Sequence, residues 1–420
     1  MPRSYRLTWL AFAGLCASVL TASAQDAAVP ADTFYPAQLS GSSVAYVYVS
    51  SSPTSSRNEI SGYTASATGA LTPMPGSPYK TPGTGALAMA LNGAWLFGTN
   101  INSDVYSFSI TANGSLKLAD TLDAGHVTSS VEEGPLDLFL DHTGATLYIG
   151  YLNIPIDSCS NPGYEGYAIN QETGKLMFVN DVCTSPFEGA GTLSFIGNNK
   201  FAYSSGCYDV TPNITGVERS SDGALTLLNV SAPMPPPTAN DGYYEPCAGG
   251  AAADPTNNFA LALQPFTNNI GPAPDGPYQI ATYTVDSSGN LTTNSTPENM
   301  PSVAVGNVQG YWMSPNGKYL AVAGAGGLQV FHWNGANPAT TFTGLLTKDS
   351  IRQVFWDNDG HLYAISGSAG KLFVFTVGTF GATEAPGSPY TIPSAAALIV
   401  LPRKATTGSI LTNALLQGWR

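Results

Sequence analysis

The sequence has few charges, few histidines and no long apolar run beyond its first twenty or so residues. Only 10% of its 420 residues are charged, with 15 lysines and arginines against 28 acidic residues, which gives a net charge of −13. So few basic residues argue against nucleic acid or an anionic membrane surface as a partner. The sequence also has no runs of alanine, leucine, glutamate and lysine, which argues against a helical bundle.

The residues that are abundant indicate an all-β protein. The chain contains 45 glycines, 31 prolines, 21 tyrosines and 17 phenylalanines, and 43% of its residues are hydrophobic. Aromatic residues favour strands, whereas glycine and proline favour tight turns. The apolar content is enough for a large core, so the chain is not expected to be disordered.

The N-terminus has the three parts of a secretory signal peptide. Arg3 and Arg6 precede an apolar run over 7–20, and small residues at 22–24 form a cleavage site, which predicts a signal peptide over 1–24. The run is too short to span a bilayer, and no later stretch is long enough. Cys16 leaves a lipoprotein open as an alternative, although the bulky Leu15 before it disfavours lipidation. We therefore expect a secreted or periplasmic protein.

Seven short segments recur along the chain, each with aromatic or β-branched residues at alternate positions, as a half-buried strand requires. They are Ile60–Tyr63, Val105–Phe108, Glu165–Tyr167, Ile214–Val217, Ile280–Tyr283, Leu328–Phe331 and Leu372–Phe375. In six of them a glycine follows six or seven residues later, often after Asn or Asp, which predicts a tight hairpin. The sixth segment differs, and its glycine is expected only at Gly344.

A second strand precedes each of these segments, and an inner apolar strand precedes most of the second strands. The unit is therefore four antiparallel strands, and seven units fit between Val44 and the end of the chain. The first unit lacks its inner strand, while Ala396–Leu401 is surplus at the C-terminus. Pairing this last strand with Val44–Val49 would close a ring and protect its edges. We predict a seven-bladed β-propeller over 44–403, rather than two sandwich domains.

The remaining segments are a lead-in over 25–43 and a C-terminal tail over 404–420. Termini of this kind are commonly poorly ordered unless they dock onto the domain.

Two stretches of sequence resemble a known family. Val105–Leu116 (VYSFSITANGSL) and Ser314–Ala323 (SPNGKYLAVA) are similar to the repeats of 6-phosphogluconolactonase-type propeller lactonases and their YVTN-like relatives. The resemblance covers 44 to about 403 and implies the propeller fold and a lactone-hydrolysing ancestry. The family often has Gly-Pro-Arg-His where this chain has Gly134-Pro135-Leu136-Asp137. Because the Arg and His are replaced, no catalytic residue of the family transfers to this chain.

Candidate site residues come from the loops that lead into the inner strands, since ligands of propellers usually bind on that face. Lactone opening needs a base for water and a cation for the oxyanion. Glu133 or Glu188 is the candidate base, Arg352 the oxyanion partner, and His126 the histidine of this face. The alternative is that these acidic residues are simply solvated and that Arg352 pairs with Asp349.

Five further residues of the same loops are candidates for ligand binding. They are Tyr243, Tyr244, Glu245, Gln309 and Asp349. Aromatic rings beside carboxylates suit a sugar or a peptide, although packing over neighbouring loops would also explain the tyrosines. No cofactor is required by this set; several carboxylates around one mouth leave Ca²⁺ or another hard divalent cation open.

Four cysteines remain after signal cleavage, and an even number in an exported chain predicts two disulfides with three possible pairings. Their spacing does not suit zinc, because the chain has no C-x-x-C pair. Equivalent positions in the third and fourth units favour the pairs Cys159–Cys183 and Cys207–Cys247, which would brace loops on the candidate face.

Two functional hypotheses follow. The first is an exported monomer that binds a small molecule, a sugar or a protein through its acidic, disulfide-braced face. The second is a divergent lactone hydrolase that uses Glu133 or Glu188 with Arg352. The replaced Arg and His of the family motif favour the first hypothesis.

Overall fold

The computed structural model describes residues 42–51, 58–83, 88–100, 104–123, 137–151, 163–184, 191–208, 211–229, 233–236, 242–246, 250–266 and 274–403. All of them belong to the unit Ala31–Arg420. In these ranges the regular structure consists of 31 β-strands arranged in seven antiparallel sheets. No helix of a length and apolarity that could span a membrane occurs in these ranges.

The first four sheets, or blades, follow the chain from its first described strand. Blade 1 contains β1 (Ala45–Ser51), β2 (Glu59–Ala65), β3 (Leu71–Pro73) and β4 (Tyr79–Lys80). Blade 2 contains β5 (Met89–Leu91), β6 (Trp95–Thr99), β7 (Asp104–Ile110) and β8 (Leu116–Asp123). Blade 3 contains β9 (Asp137–Leu140), β10 (Thr146–Tyr151), β11 (Gly163–Ile169) and β12 (Leu176–Cys183). Blade 4 contains β13 (Ser194–Phe195), β14 (Phe201–Tyr208), β15 (Thr211–Arg219) and β16 (Leu225–Leu228).

The last three blades have the same order, and blades 5 and 7 each have one added short strand. Blade 5 contains β17 (Tyr243–Glu245), β18 (Ala252–Ala253), β19 (Asn258–Phe266), β20 (Gln279–Val285) and β21 (Leu291–Thr293). Blade 6 contains β22 (Val308–Met313), β23 (Tyr319–Gly324), β24 (Gly327–Asn334) and β25 (Asn337–Thr341). Blade 7 contains β26 (Gln353–Trp356), β27 (His361–Ser366), β28 (Lys371–Gly378), β29 (Gly381–Glu384) and β30 (Tyr390–Thr391). The final strand is β31 (Ala395–Pro402).

The ring closes as the sequence predicts. β1 lies between β2 and β31, and the register aligns Val47 with Val400 and Tyr48 with Ile399. β31 is therefore the inner strand of blade 1, and the fold is a seven-bladed β-propeller. Neighbouring inner strands pack against one another around the channel: β31 on β5, β5 on β9, β13 on β18, β18 on β22, and β26 on both β22 and β31.

In each blade a hairpin joins the third strand to the fourth, outer strand. These hairpins, which we call third–outer hairpins, use the glycines that the repeat predicts, except in blade 6. Gly114 has a φ of +83°, and a Cβ at this position would lie 2.8 Å from the sulfur of Met74. Both the positive φ and the close approach exclude a larger residue without strain. The expectation for blade 6 is wrong: its hairpin turns at Gly335, with a φ of +63°, and not at Gly344. This hairpin comes only a few residues after Phe331, so the expected insertion lies after the outer strand β25.

Tyrosines of the second strands join successive blades. The hydroxyls of Tyr48, Tyr148 and Tyr203 donate to the carbonyls of Gly114, Gly223 and Gly289 in the next blade, each at 2.7 Å. All six residues lie at third–outer turns or in second strands, so the contact repeats around the ring. Buried rings supply apolar area, and each hydroxyl satisfies a turn carbonyl that would otherwise lose its water.

Turns between inner and second strands define one end of the propeller, which we call the turn face. In blade 3 the buried carboxylate of Asp141 accepts the backbone N–H groups of Ala145 and Thr146, each at 3.1 Å. It also forms an ion pair with Arg219 of blade 4 at 2.6 Å, with the two side chains 0% and 11% exposed. Asp141 thus fixes its own turn and one blade junction.

Two equivalent aspartates on the turn face have different partners. Asp254 of blade 5 accepts the indole N–H of Trp333 of blade 6 at 2.9 Å. Asp357 of blade 7 contacts Nδ1 of His361 at 2.7 Å and accepts the hydroxyl of Tyr363 at 2.9 Å. Burial lowers the pKa of His361, but the hydrogen bond and charge of Asp357 outweigh burial and raise that pKa above its usual value.

Candidate functional site

The opposite end of the propeller, at which the inner strands begin and the second strands end, is the loop face of the sequence prediction. Several predicted residues lie outside the described residues: Glu133, Glu188, His126, Cys159 and Cys247. Their roles, and the two disulfide pairings, therefore stay predictions. The sequence predicts Cys183 and Cys207 in loops that follow strands, and both lie in strands instead: Cys183 is the last residue of β12, and Cys207 lies within β14, which continues to Tyr208.

Arg352 lies immediately before the inner strand of blade 7. Its backbone N–H donates to the carbonyl of Ile365 at 2.9 Å, which fixes its position at the start of β26. The side chain is half-buried, and burial lowers the pKa of its guanidinium. No ion pair joins it to a carboxylate in the part of the chain that the structure describes. Arg352 is therefore a partly desolvated cation directly before the inner strand of blade 7.

Asp349 is not the partner of Arg352. Its carboxylate binds the ammonium of Lys371 at 2.7 Å, with the side chains 33% and 40% exposed. The predicted alternative, an ion pair between Asp349 and Arg352, is thus wrong, because the Asp349 carboxylate pairs with Lys371 at the start of β28 instead. This pairing leaves Arg352 available to a ligand.

The candidates of blades 5 and 6 lie in strands rather than in loops. Tyr243, Tyr244 and Glu245 form β17, which pairs with the C-terminal part of β19. The Tyr243 ring stacks on Phe266 with centroids 5.5 Å apart, and the Tyr244 hydroxyl donates to Gln279 at 2.9 Å. Glu245 is 7% exposed. These contacts give the tyrosines a packing role at the loop face.

Gln309 lies in β22, where the register shifts between Val308 and Gly310. A bulge of this kind turns a side chain away from the regular alternation of its strand. Gln309 therefore lies at the loop face with its side chain half-buried.

Asp137 is a site residue that the sequence reasoning did not select. It is the first residue of β9, it is 2% exposed, and its Oδ1 accepts the N–H of Leu138 at 3.0 Å. Burial raises its pKa well above the usual value, and this one hydrogen bond only partly opposes the effect. The signal was available: Asp137 occupies the slot of the family's Gly-Pro-Arg-His motif. The motif comparison indicates which family residues are lost, but it does not indicate that their replacement is buried.

A hydrogen-bond network joins four blades at the loop face. The hydroxyl of Tyr311 in β22 and that of Ser205 in β14 both donate to the carbonyl of Gly250, at 2.8 and 2.7 Å. The hydroxyl of Tyr164 in β11 donates to the carbonyl of Gly191 at 2.7 Å. These bonds fix the segments that lead into the inner strands of blades 4 and 5.

Metal binding and clefts can be assessed only for the described ranges. There, no three His, Cys, Asp or Glu side chains come together in a way that would hold a metal ion. A cleft of about 90 Å³ lies on the turn face between blades 6 and 7, beside Asn316, Tyr319, Trp356 and Asn358. It is at the opposite end from Arg352 and Asp137, so it does not contribute to the candidate site.

The comparisons with known proteins concern the fold. No family model matches the chain, and no curated protein matches it. Among solved structures, a "putative 6-phosphogluconolactonase" of Bacteroides fragilis is 15% identical with a TM-score of 0.60, covering 86% of this chain and 98% of its own. A second "putative 6-phosphogluconolactonase", from Bacteroides uniformis, is 13% identical with a TM-score of 0.59, covering 86% and 100%.

A protein of unknown function from Desulfotomaculum acetoxidans is 12% identical with a TM-score of 0.56, again covering 86% of this chain and 100% of its own. Identities this low show a shared fold alone. The chain is thus a seven-bladed β-propeller that resembles lactonase-type propellers over most of its length.

Proposed function

We propose that the protein is an exported binding protein that receives a small, hydroxyl-bearing anion at its loop face and does not turn it over. The observation that carries this proposal is Arg352, a half-buried cation without an ion-pair partner in the described ranges. A desolvated guanidinium gains most from a carboxylate or phosphate, which it contacts through paired hydrogen bonds.

The surroundings of Arg352 favour a small ligand over a protein partner. Asp349 and Lys371 pair with one another and Lys348 is exposed to solvent, so Arg352 is the half-buried cation of this segment without an ion-pair partner among the described residues. The inner strands that surround it are mainly apolar, which suits a site with a few placed polar groups. Export through the predicted signal 1–24, and bracing by Cys159–Cys183 and Cys207–Cys247, belong to the same proposal.

The test is calorimetric titration with a panel of sugar acids (D-gluconate, D-galactonate and D-xylonate), with D-sorbitol as the uncharged match. We expect at least one sugar acid to bind and sorbitol not to bind. Arg352→Ala should weaken binding by about ten-fold or more, since a hydrogen bond to a charged group contributes about 1.5–3 kcal/mol. Lys371→Ala is the control and should change affinity less than about two-fold, because Asp349 already occupies that ammonium.

Two outcomes would contradict the proposal. If no sugar acid binds at millimolar concentration, the ligand class is wrong. If the 1,5-lactones of the same acids are hydrolysed faster than in buffer, and this turnover is lost in Arg352→Ala, the protein is a lactone hydrolase with Arg352 as oxyanion partner and Glu133 or Glu188 as base.

A further inference from the structure

Among the described residues, Asp137 is the only carboxylate in the seven inner strands, which are β5, β9, β13, β18, β22, β26 and β31. Asp137 has one backbone hydrogen bond, and no cation of the described ranges pairs with it. An ionised carboxylate in such surroundings would be strongly destabilising.

The Asp137 side chain faces the junction between blades 3 and 4. Asp137 lies opposite Gly150 in β10, and Gly150 lies opposite Tyr164 in β11. Directly opposite residues of antiparallel strands share one face of the sheet. Since the Tyr164 hydroxyl reaches Gly191 of blade 4, Asp137 faces blade 4 as well, and Gly150 adds no side chain between the two.

Blade 4 turns two hydroxyls toward the same junction. Tyr203 in β14 reaches Gly289 of blade 5, so the next residue, Ser204, faces the other way, toward blade 3. Thr215 in β15 lies opposite Ser204. The oxygens of both hydroxyls are buried and lack a hydrogen-bond partner. Buried polar atoms of native proteins normally have one, so these two hydroxyls have hydrogen-bonding capacity that a bound molecule would use.

We propose that Asp137 binds the ligand as a neutral carboxylic acid, which donates its proton in a hydrogen bond to an uncharged oxygen of the ligand. This inference rests on the proposed function. Blade 3 and blade 7 are three blades apart in a ring of seven, so Asp137 and Arg352 lie on roughly opposite sides of the channel. Arg352 would hold the anionic end of the ligand, and Asp137 with Ser204 would contact an oxygen at its other end.

The groups packed against Asp137 are compatible with a neutral acid. β5 and β6 of blade 2, which pack on β9, contain no titratable side chain, and β13 of blade 4 contains none either. Tyr148 in β10 and Tyr164 in β11 are the titratable side chains of the paired strands that face the same junction, and burial raises the pKa of the Tyr148 phenol. No charge from these elements is therefore available to ionise Asp137.

The first experiment needs no ligand. Difference infrared spectra between the wild type and Asp137→Asn at pH 7 should contain the carbonyl stretch of a protonated carboxylic acid, which shifts in D₂O. Asp137→Asn should also melt above the wild type at pH 7, because the folded carboxyl retains its proton to higher pH than the unfolded one and so weakens stability as pH rises. Asp141→Asn is the matched control and should melt below the wild type, since it weakens a buried ion pair.

The second experiment uses the sugar acid that binds tightest in the panel above. Asp137→Asn, which keeps a donor, should bind within about three-fold of the wild type, whereas Asp137→Ala should bind at least about five-fold more weakly. Wild-type affinity should fall at alkaline pH, and that fall should be absent in Asp137→Asn.

Failure of each proposal gives a different result. A carboxylate rather than a carboxylic acid signal at pH 7, or Asp137→Asn melting below the wild type, would overturn the inference on Asp137 even if Arg352→Ala abolishes binding. A carboxylic acid signal without sugar-acid binding would instead overturn the proposed function, and with it the role of Asp137 as a ligand donor.

Discussion

The two ends of strand β9 carry aspartates in opposite situations. Asp141, on the turn face, accepts two backbone N–H groups and the guanidinium of Arg219. Asp137, on the loop face, accepts one backbone N–H, and none of the cations that the structure describes pairs with it. Both carboxyls are buried, yet only the first has the partners that a buried charge needs. The carboxyl on the turn face can therefore stabilise the propeller as a charge, whereas the carboxyl on the loop face cannot.

The same contrast extends to the other blades. Asp254 and Asp357 on the turn face have partners in the next blade or in their own second strand. On the loop face, Arg352 and the hydroxyls of Ser204 and Thr215 have none among the described residues. Sites that are kept for a ligand are commonly less stable than the scaffold would allow.

The largest effect should follow from breaking the ion pair on the turn face. Arg219→Met leaves the fully buried Asp141 carboxylate without its cation, and such a loss costs about 3–5 kcal/mol. Urea unfolding followed by tryptophan fluorescence measures it.

Lys200→Met is the control, because the Lys200–Glu218 pair in the same blade is 47% and 44% exposed. Its loss should cost less than about 1 kcal/mol. Equal losses in the two variants would mean that the turn face is no more important for stability than an ordinary surface.

The next largest effect depends on pH. His142 packs edge-on against Phe195 beside Asp141, and burial lowers its pKa from 6.5 to about 4, while Asp141 only partly opposes this. The unfolded chain binds a proton below pH 6.5 that the folded chain accepts only near 4, so the wild type loses up to about 3 kcal/mol as pH falls through that window.

His142→Phe should reduce the loss of folding stability between pH 6.5 and 4, and it should leave the stability at pH 8 nearly unchanged. Melting temperatures between pH 4 and 8 test the prediction. If the variant loses as much stability at acid pH as the wild type, the loss is caused by other titrating groups.

The smallest effect concerns one contact between blades. Tyr148→Phe removes the hydrogen bond to the carbonyl of Gly223 and keeps the ring, so we expect a loss of about 0.5–1.5 kcal/mol. Phe97 already occupies the equivalent position of blade 2, which indicates that the ring alone is tolerated. A loss above about 3 kcal/mol would mean that the hydroxyl does more than satisfy one carbonyl.

The fold could be predicted because its determinants are local and repeated. Alternation within segments such as Leu372–Phe375, and glycines such as Gly114, are set by strand pleat and turn geometry, and both can be counted in the sequence. The non-local closing pair of β1 with β31 was also predictable, since a spare strand at each end of a repeat has few other partners.

The candidate site could be predicted only in part, because contacts between blades are not periodic. The position of Arg352 before β26 can be predicted from the sequence. That Asp349 pairs with Lys371 and not with Arg352 depends on side-chain positions that the sequence does not show. Tyr243 and Gln309 were placed in loops, whereas strand pairing extends further than their sequence indicates. Asp137 was missed because burial, which no single sequence displays, decides its protonation.

The pairing of β1 with β31 has a consequence for how the chain is made. The first strand leaves the ribosome roughly 350 residues before the strand that completes its blade. At about 5–20 residues per second, its open edge waits roughly 20–70 s for that partner. Nascent chains that stall before Ala395 should therefore need a chaperone to stay soluble. The ring can close only after the last nine residues of the propeller have been synthesised.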